Sequence, residues 1–267
     1  MNAPPWPLVA MENVFFATPA LDWPARCAAV AAAGYDGIYA VPYPLSDEDF
    51  PRLRRLAEEP RRHGLRLSAV YANVDLALPD AHDANRRTLR LAEETEGAPR
   101  FEISFKCSDP RALPVDLDGE ICARLEPLLR LAGRRGFDIA LYPHSFYPLE
   151  TVSHARVIVR RLAHPHLKFL FAASHVFAVR SSDDTLAELA AGADEIASCN
   201  LCGCRRSGPP PAKCAHLPLD DGDLDCGVLL RTARVAGYRG EVIIQGHGWP
   251  GSAAEYLRRC REVVLAS

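Results

Sequence analysis

Amphipathic stretches of the chain repeatedly end in glycine and run straight into a short apolar segment: AAAGYDGIYAV, RRHGLRLSAVY, GRRGFDIALY and RVAGYRGEVIIQ. Apolar residues spaced three or four apart mark a helix with one buried face, and a compact run of β-branched and aromatic residues marks a strand. The residue just past a helix end often takes a left-handed conformation, which glycine adopts without a Cβ clash. Gly34, Gly64, Gly136 and Gly237 therefore read as helix-to-strand turns. The pattern recurs about every 30 residues, the length of one βα unit. Strands are predicted near residues 12–17, 36–41, 66–72, 101–106, 137–142, 167–172, 195–200 and 241–245, each followed by a helix.

Eight such units in 267 residues are the size of a closed (β/α)8 TIM barrel. An open doubly wound sheet would more often carry a glycine-rich phosphate turn, and no G-x-G-x-x-G or Walker sequence is present. No break in composition divides the chain, so residues 1–267 read as one α/β domain with a core. In such a barrel the chemistry sits at the C-terminal ends of the strands. In RFEISFKC the alternation turns Phe101, Ile103 and Phe105 toward the helices and Glu102, Ser104 and Lys106 into the barrel.

The net charge of −3 arises from 31 basic and 34 acidic residues spread along the chain, so no basic stripe suggests nucleic acid and no charged tail a membrane surface. The N-terminus lacks a secretory pattern and no apolar run approaches the roughly 18–20 residues of a membrane span, which predicts a cytoplasmic protein. The nine cysteines are odd in number and scattered, which fits reduced thiols and, for most, small buried hydrophobes. Only three lysines occur, Lys106, Lys168 and Lys213, so a lysine at a strand end carries weight.

The segment HLPLDDGDLDCGVLLRTARVAGYRGEVIIQ matches, at Gly222, Asp225, Gly237, Tyr238 and Gly240, the ending H-h-P-l-G-x-G-x-x-D…GY-x-G-x-h-h-h-E. On these positions and the strand ends the chain resembles the xylose isomerase-like barrels, which include sugar phosphate isomerases/epimerases and hydroxypyruvate isomerase. The resemblance implies a metal held by Glu after strand 5, Asp of a D-x-x-H motif after strand 6, His after strand 7 and Glu after strand 8. Here the strand-5 motif reads Tyr142-Pro143-His144, and D-x-x-H reads Ala172-Ala173-Ser174-His175. Asn200 stands for the strand-7 His, Gly203 for an Asp that often follows it, and Gln245 for the last Glu. A divalent ion such as Mg²⁺ or Mn²⁺ needs anionic oxygen donors, and neutral side chains do not offset its dehydration. The expectation is an enzyme of this family without the family's metal or any other cofactor.

Lys106, Tyr142, His144, His175, Asn200, Gln245 and His247 are expected to converge on one mouth. His144 or His175 would act as base, with Lys106 or Tyr142 polarising a carbonyl in place of the ion. Glu102, Tyr39 and Tyr71 would line the same mouth and, with Tyr142, Asn200, Gln245 and His247, bind substrate. The bland alternatives are an ion pair of Lys106 with Glu102 or a loop carboxylate, and histidines that only tie loops. The long Pro/Cys-rich loop at about 201–223 carries Cys202, Cys204, Cys214 and His216, with Cys199 nearby, in a spacing open to a structural zinc site or to incidental thiols. Its Arg205, Arg206 and Lys213 would suit a lid over an anionic substrate.

The leading functional expectation is proton transfer on a small carbonyl- or hydroxyl-bearing metabolite by an isomerase, epimerase or lyase. Alternatives are a catalytically silent barrel that binds a metabolite or protein partner, and a divalent-metal sugar isomerase whose ligands lie elsewhere in the chain. A DNA-repair endonuclease of a related barrel class would need a rich metal-ligand cluster and a basic face, and the sequence has neither. A homodimer is compatible with the sequence.

Overall fold

The computed structural model describes residues 6–17 and 21–267. Eight parallel strands close a (β/α)8 barrel: β1 (Leu8–Met11), β2 (Gly37–Ala40), β3 (Arg66–Asp75), β4 (Arg100–Lys106), β5 (Asp138–Leu141), β6 (Leu167–Ala172), β7 (Ile196–Leu201) and β10 (Glu241–Ile244). Between β7 and β10, β8 (Gly203–Arg206) and β9 (Cys214–Leu217) form a separate antiparallel hairpin. Closure joins β1 to β10, with Val9 opposite Ile243. No helix among the described residues is long and apolar enough to cross a membrane.

The repeat read from the sequence is the repeat of the fold. The helix Leu117–Arg135 ends on Gly136 at φ 74°, and Gly34, Gly64 and Gly237 take the same left-handed state before their strands. The first strand is a correction: it lies at Leu8–Met11, and Glu12–Phe15 form a 3-10 turn. Glu12 explains the break, because its carboxylate accepts from Val41 N at 2.7 Å and pairs with Arg26 at 2.5 Å, which turns the chain out of the sheet.

Side-chain parity separates two cores. Phe101, Ile103 and Phe105 belong to the large layer between strands and helices. Val9, Met11, Tyr39, Ala69, Ala140, Tyr142, Leu170, Ala172 and Ile243 pack inside the barrel. Across the lower interior, Arg100 pairs with Glu102 at 3.0 Å and with Glu241 at 2.9 Å. Ser198 Oγ and Asn200 Nδ2 also donate to Glu102, at 2.9 and 3.3 Å.

The terminal motif serves this architecture. Asp225 caps the helix Cys226–Val235 by accepting from Val228 N at 2.8 Å. Tyr238 Oη donates to the Glu241 carbonyl. Gly222 sits at φ 110°, where an added Cβ would lie 2.5 Å from the Cys204 carbonyl oxygen, so only glycine lets the loop close on the hairpin.

Candidate active site

Above the inner core, at the C-terminal strand ends, lies a cavity of about 380 Å³. Its walls carry His144, His175, His216 and His247, Tyr43, Tyr71, Tyr142 and Tyr147, and the amides Asn13, Asn73 and Gln245, completed by Met11, Phe16 and Val41. Among the described residues no Asp, Glu, Lys or Arg lines it. The cavity therefore favours a neutral, oxygen-rich group over a fixed charge.

The loop after β5 builds one wall. His144 N donates to Leu149 O at 2.9 Å and Tyr147 N to His144 O at 3.0 Å. Phe146 is held left-handed at φ 66° with its N–H on Glu150 Oε1, a conformation costly for a bulky residue and concentrated at functional loops. The tight turn lays Tyr147 over His144 with ring centroids 4.0 Å apart, and His144 in turn stacks on His175 at 3.8 Å. His175 comes from the helix Ala173–Val179, directly after β6.

Hydrogen bonding sets the protonation of this wall. His144 Nδ1 lies 2.9 Å from the Ser145 carbonyl oxygen, which only accepts, so Nδ1 carries the proton and Nε2 keeps its lone pair. Burial lowers His144 to about 4 and, with the charge of its neighbour His144, drives His175 well below the ordinary histidine range. His175 Nδ1 and Ser145 Oγ are 3.0 Å apart. His247 is also lowered, chiefly by burial. His216 differs: burial lowers it, but its charge interaction and hydrogen bond with Cys202, joined by the charge of Cys214, outweigh that and raise it.

The floor is a chain of neutral groups. Tyr142 Oη donates to Gln245 Oε1 at 3.1 Å, and Gln245 Nε2 donates to Ser174 Oγ at 2.7 Å. Tyr71 Oη donates to Asn73 Oδ1 at 3.0 Å and meets Ser104 Oγ at 2.8 Å. Burial raises both Tyr142 and Tyr71 above the usual phenol range, so both hydroxyls stay protonated.

Of the residues expected at one mouth, Tyr71, Tyr142, His144, His175, Gln245 and His247 line this cavity. Tyr39, Glu102 and Asn200 do not. All three are fully buried below it, with Glu102 turned down to Arg100, because strand tilt and stagger set how deep each inward side chain lies. Lys106 is also outside, in a neighbouring cleft behind Tyr71, with Asp75 as its partner instead of Glu102. Asn13, Asn73, Tyr43 and Tyr147 were missed. Asn73 shares the inward parity of Tyr71 and could have been found, whereas nothing in the sequence signals the turn that folds Tyr147 back.

The alternative of a structural zinc site at the hairpin finds no support in the geometry. Cys202 and Cys204 Sγ are 3.7 Å apart, Cys204 donates to the Cys202 carbonyl and also meets Cys214, and Cys202 meets His216. These contacts run pairwise along the hairpin, and among the described residues no group of three or more His, Cys, Asp or Glu could hold a metal ion. Cys199 is buried elsewhere in β7. Two of the three loop cations are engaged as well, Arg205 with Asp221 and Arg206 with the carbonyls of Phe177 and Arg180, while Lys213 is exposed.

Residues 27–263 match the family model for xylose isomerase-like TIM barrels. The chain belongs to this family. A xylose isomerase domain containing protein from Salmonella typhimurium LT2 superposes with a TM-score of 0.77 at 17% identity, over 100% of this chain and 98% of that one. The IolI protein, solved with a zinc atom, gives 0.78 at 17% identity over 97% and 96%. The 3-keto-D-glucoside 4-epimerase YcjR of E. coli gives 0.74 at 14% identity over 98% and 100%. No curated protein matches the sequence.

The family's metal does not fit the residues present. The four counterpart positions hold Tyr142 and Gln245, bonded to each other; Asn200, bonded to Glu102; and Ala172, a methyl in the inner core. None brings an anionic oxygen to the cavity, so the donor set cannot replace the hydration of a doubly charged cation.

Proposed function

We propose that this xylose isomerase-like barrel catalyses proton transfer next to a carbonyl or hydroxyl of a small metabolite, as an isomerase, epimerase or lyase that needs no divalent ion. The observation carrying this reading is the His144 tautomer: a lone pair on Nε2, fixed by the Ser145 carbonyl, in a cavity without charged side chains. His144 takes the proton, backed by the neighbouring His175 ring. His216, the one cavity histidine whose proton is favoured, donates to the developing oxyanion, and the Tyr142 and Tyr71 hydroxyls position the substrate oxygens. The nine cysteines are all free thiols, which supports a reducing, cytoplasmic setting.

The test is solvent exchange. A panel of small ketoses, keto acids and hydroxy acids is incubated with the protein in D₂O, and loss of carbon-bound proton signals is followed by NMR. Enzyme-dependent exchange that is lost in His144→Phe supports the proposal. Exchange unchanged in both His144→Phe and His175→Phe sinks it, and binding without exchange across the panel points to the silent, ligand-binding barrel.

A further inference from the structure

Beside the uncharged cavity lies a second cleft of about 180 Å³, which shares Tyr43, Tyr71 and Asn73 with it and is lined on its far side by Lys106 and Arg87. Lys106 ends β4 directly opposite Asp75 of β3. Its ammonium stands 3.7 Å from Asp75 Oδ2, beyond the ~2.7–3.2 Å of an N–H···O bond. Asp75 is occupied elsewhere: its Oδ1 accepts the backbone N–H of Ala77 at 3.1 Å and of Ser108 at 3.0 Å. Among the described residues nothing hydrogen-bonds the Lys106 ammonium.

Arg87, from the helix Asp83–Glu94, donates one terminal nitrogen to Asp47 Oδ2 at 2.9 Å. Its Nε is enclosed and has no partner. An enclosed guanidinium N–H without an acceptor is costly, and an ammonium with free donors that lines the same cleft can share one oxyanion with it.

We propose that this cleft is a carboxylate subsite, so that the substrate is a hydroxy or keto acid whose carboxylate Lys106 and Arg87 hold while its reacting carbon enters the histidine cavity. The charge count selects the anion. Arg54, Arg87, Arg90 and Lys106 stand against Asp47, Glu94 and Asp75 in the linked ion pairs around the cleft, an excess of one positive charge that a carboxylate matches, whereas a phosphate dianion would exceed it and face the Asp75 carboxylate. The inference names the substrate class for the proton-transfer reading above, and it is tested by binding, so its failure is distinguishable from failure of the exchange chemistry.

Calorimetry compares D-glycerate, D-erythronate and D-gluconate with glycerol, erythritol and sorbitol, which replace the carboxylate by CH₂OH, and with the phosphate esters of those polyols. In the native protein at least one aldonate is expected to bind about tenfold or more tightly than its polyol, the order set by one charge-assisted hydrogen bond. Lys106→Met should erase that preference, Lys106→Arg should retain it, and Arg87→Met should weaken it through a separate position. No aldonate exceeding its polyol, binding of neither included, overturns the proposal, as does a preference that survives Lys106→Met or a phosphate ester that outcompetes its aldonate.

Discussion

The imidazoles of His144 and His175 lie 3.8 Å apart, centroid to centroid, so a proton on one is repelled by a proton on the other. Burial keeps both rings neutral well below the pH at which a free histidine charges, and for His175 the charge of His144 adds to it. A base of this kind works without prior deprotonation at neutral pH. The rate should stay flat on the acid side down to roughly the His144 value of about 4, and fall on the alkaline side as His216, whose affinity for a proton is raised, loses it. A rate profile with its acid limb at the ordinary histidine value near 6.5 would contradict the assignment of His144.

The same depression predicts acid sensitivity of the fold. Between about 6.5 and 4 the unfolded chain binds a proton at His144 that the folded chain refuses, so stability falls as pH drops through that window. The slope is about 1.4 kcal/mol per pH unit per histidine. His144→Phe keeps an aromatic ring in the stack and should flatten part of this decline, as read from urea unfolding at pH 7 and pH 5. Equal slopes in native and variant protein would count against it.

Glu102 should matter for stability and not for ligand affinity. It is fully buried and shares Arg100, Ser198 and Asn200. Glu102→Ala strands part of the Arg100 charge and should cost about 3 kcal/mol, measurable by denaturant titration. A stable Glu102→Ala protein with weakened ligand binding would return this residue to the site.

Gly222→Ala should loosen the hairpin against the barrel, because the new methyl would meet the Cys204 backbone at a φ that alanine rarely adopts. A loss of about 2 kcal/mol is expected, together with faster proteolysis between Arg206 and Asp221. Unaltered melting would mean that the loop relaxes freely.

Removing metal should leave activity intact. Dialysis against EDTA is expected to preserve the exchange rate, and added Mn²⁺ or Mg²⁺ to leave it unchanged, because Tyr142, Ala172, Asn200 and Gln245 supply no anionic donor. Activity that vanishes with EDTA and returns with manganese would show that ligands are recruited from outside these positions.

The barrel was legible in the chain because its signals are local: the three-to-four spacing of helices, the short apolar runs, and the glycines that end one and begin the other. Strand ends were equally legible, since (β/α)8 geometry gathers them on one face, and this brought Tyr142, His144, His175 and Gln245 into view. Three things waited for the tertiary structure. The depth of each inward side chain depends on strand tilt and closure, which placed Gln245 at the cavity and Asn200 and Glu102 beneath it. The turn at Phe146 decided that Tyr147 and His144 stack. The aromatic wall of Tyr71 divided Lys106 from the histidines, because a side chain's neighbours across a barrel are fixed by packing among strands far apart in sequence.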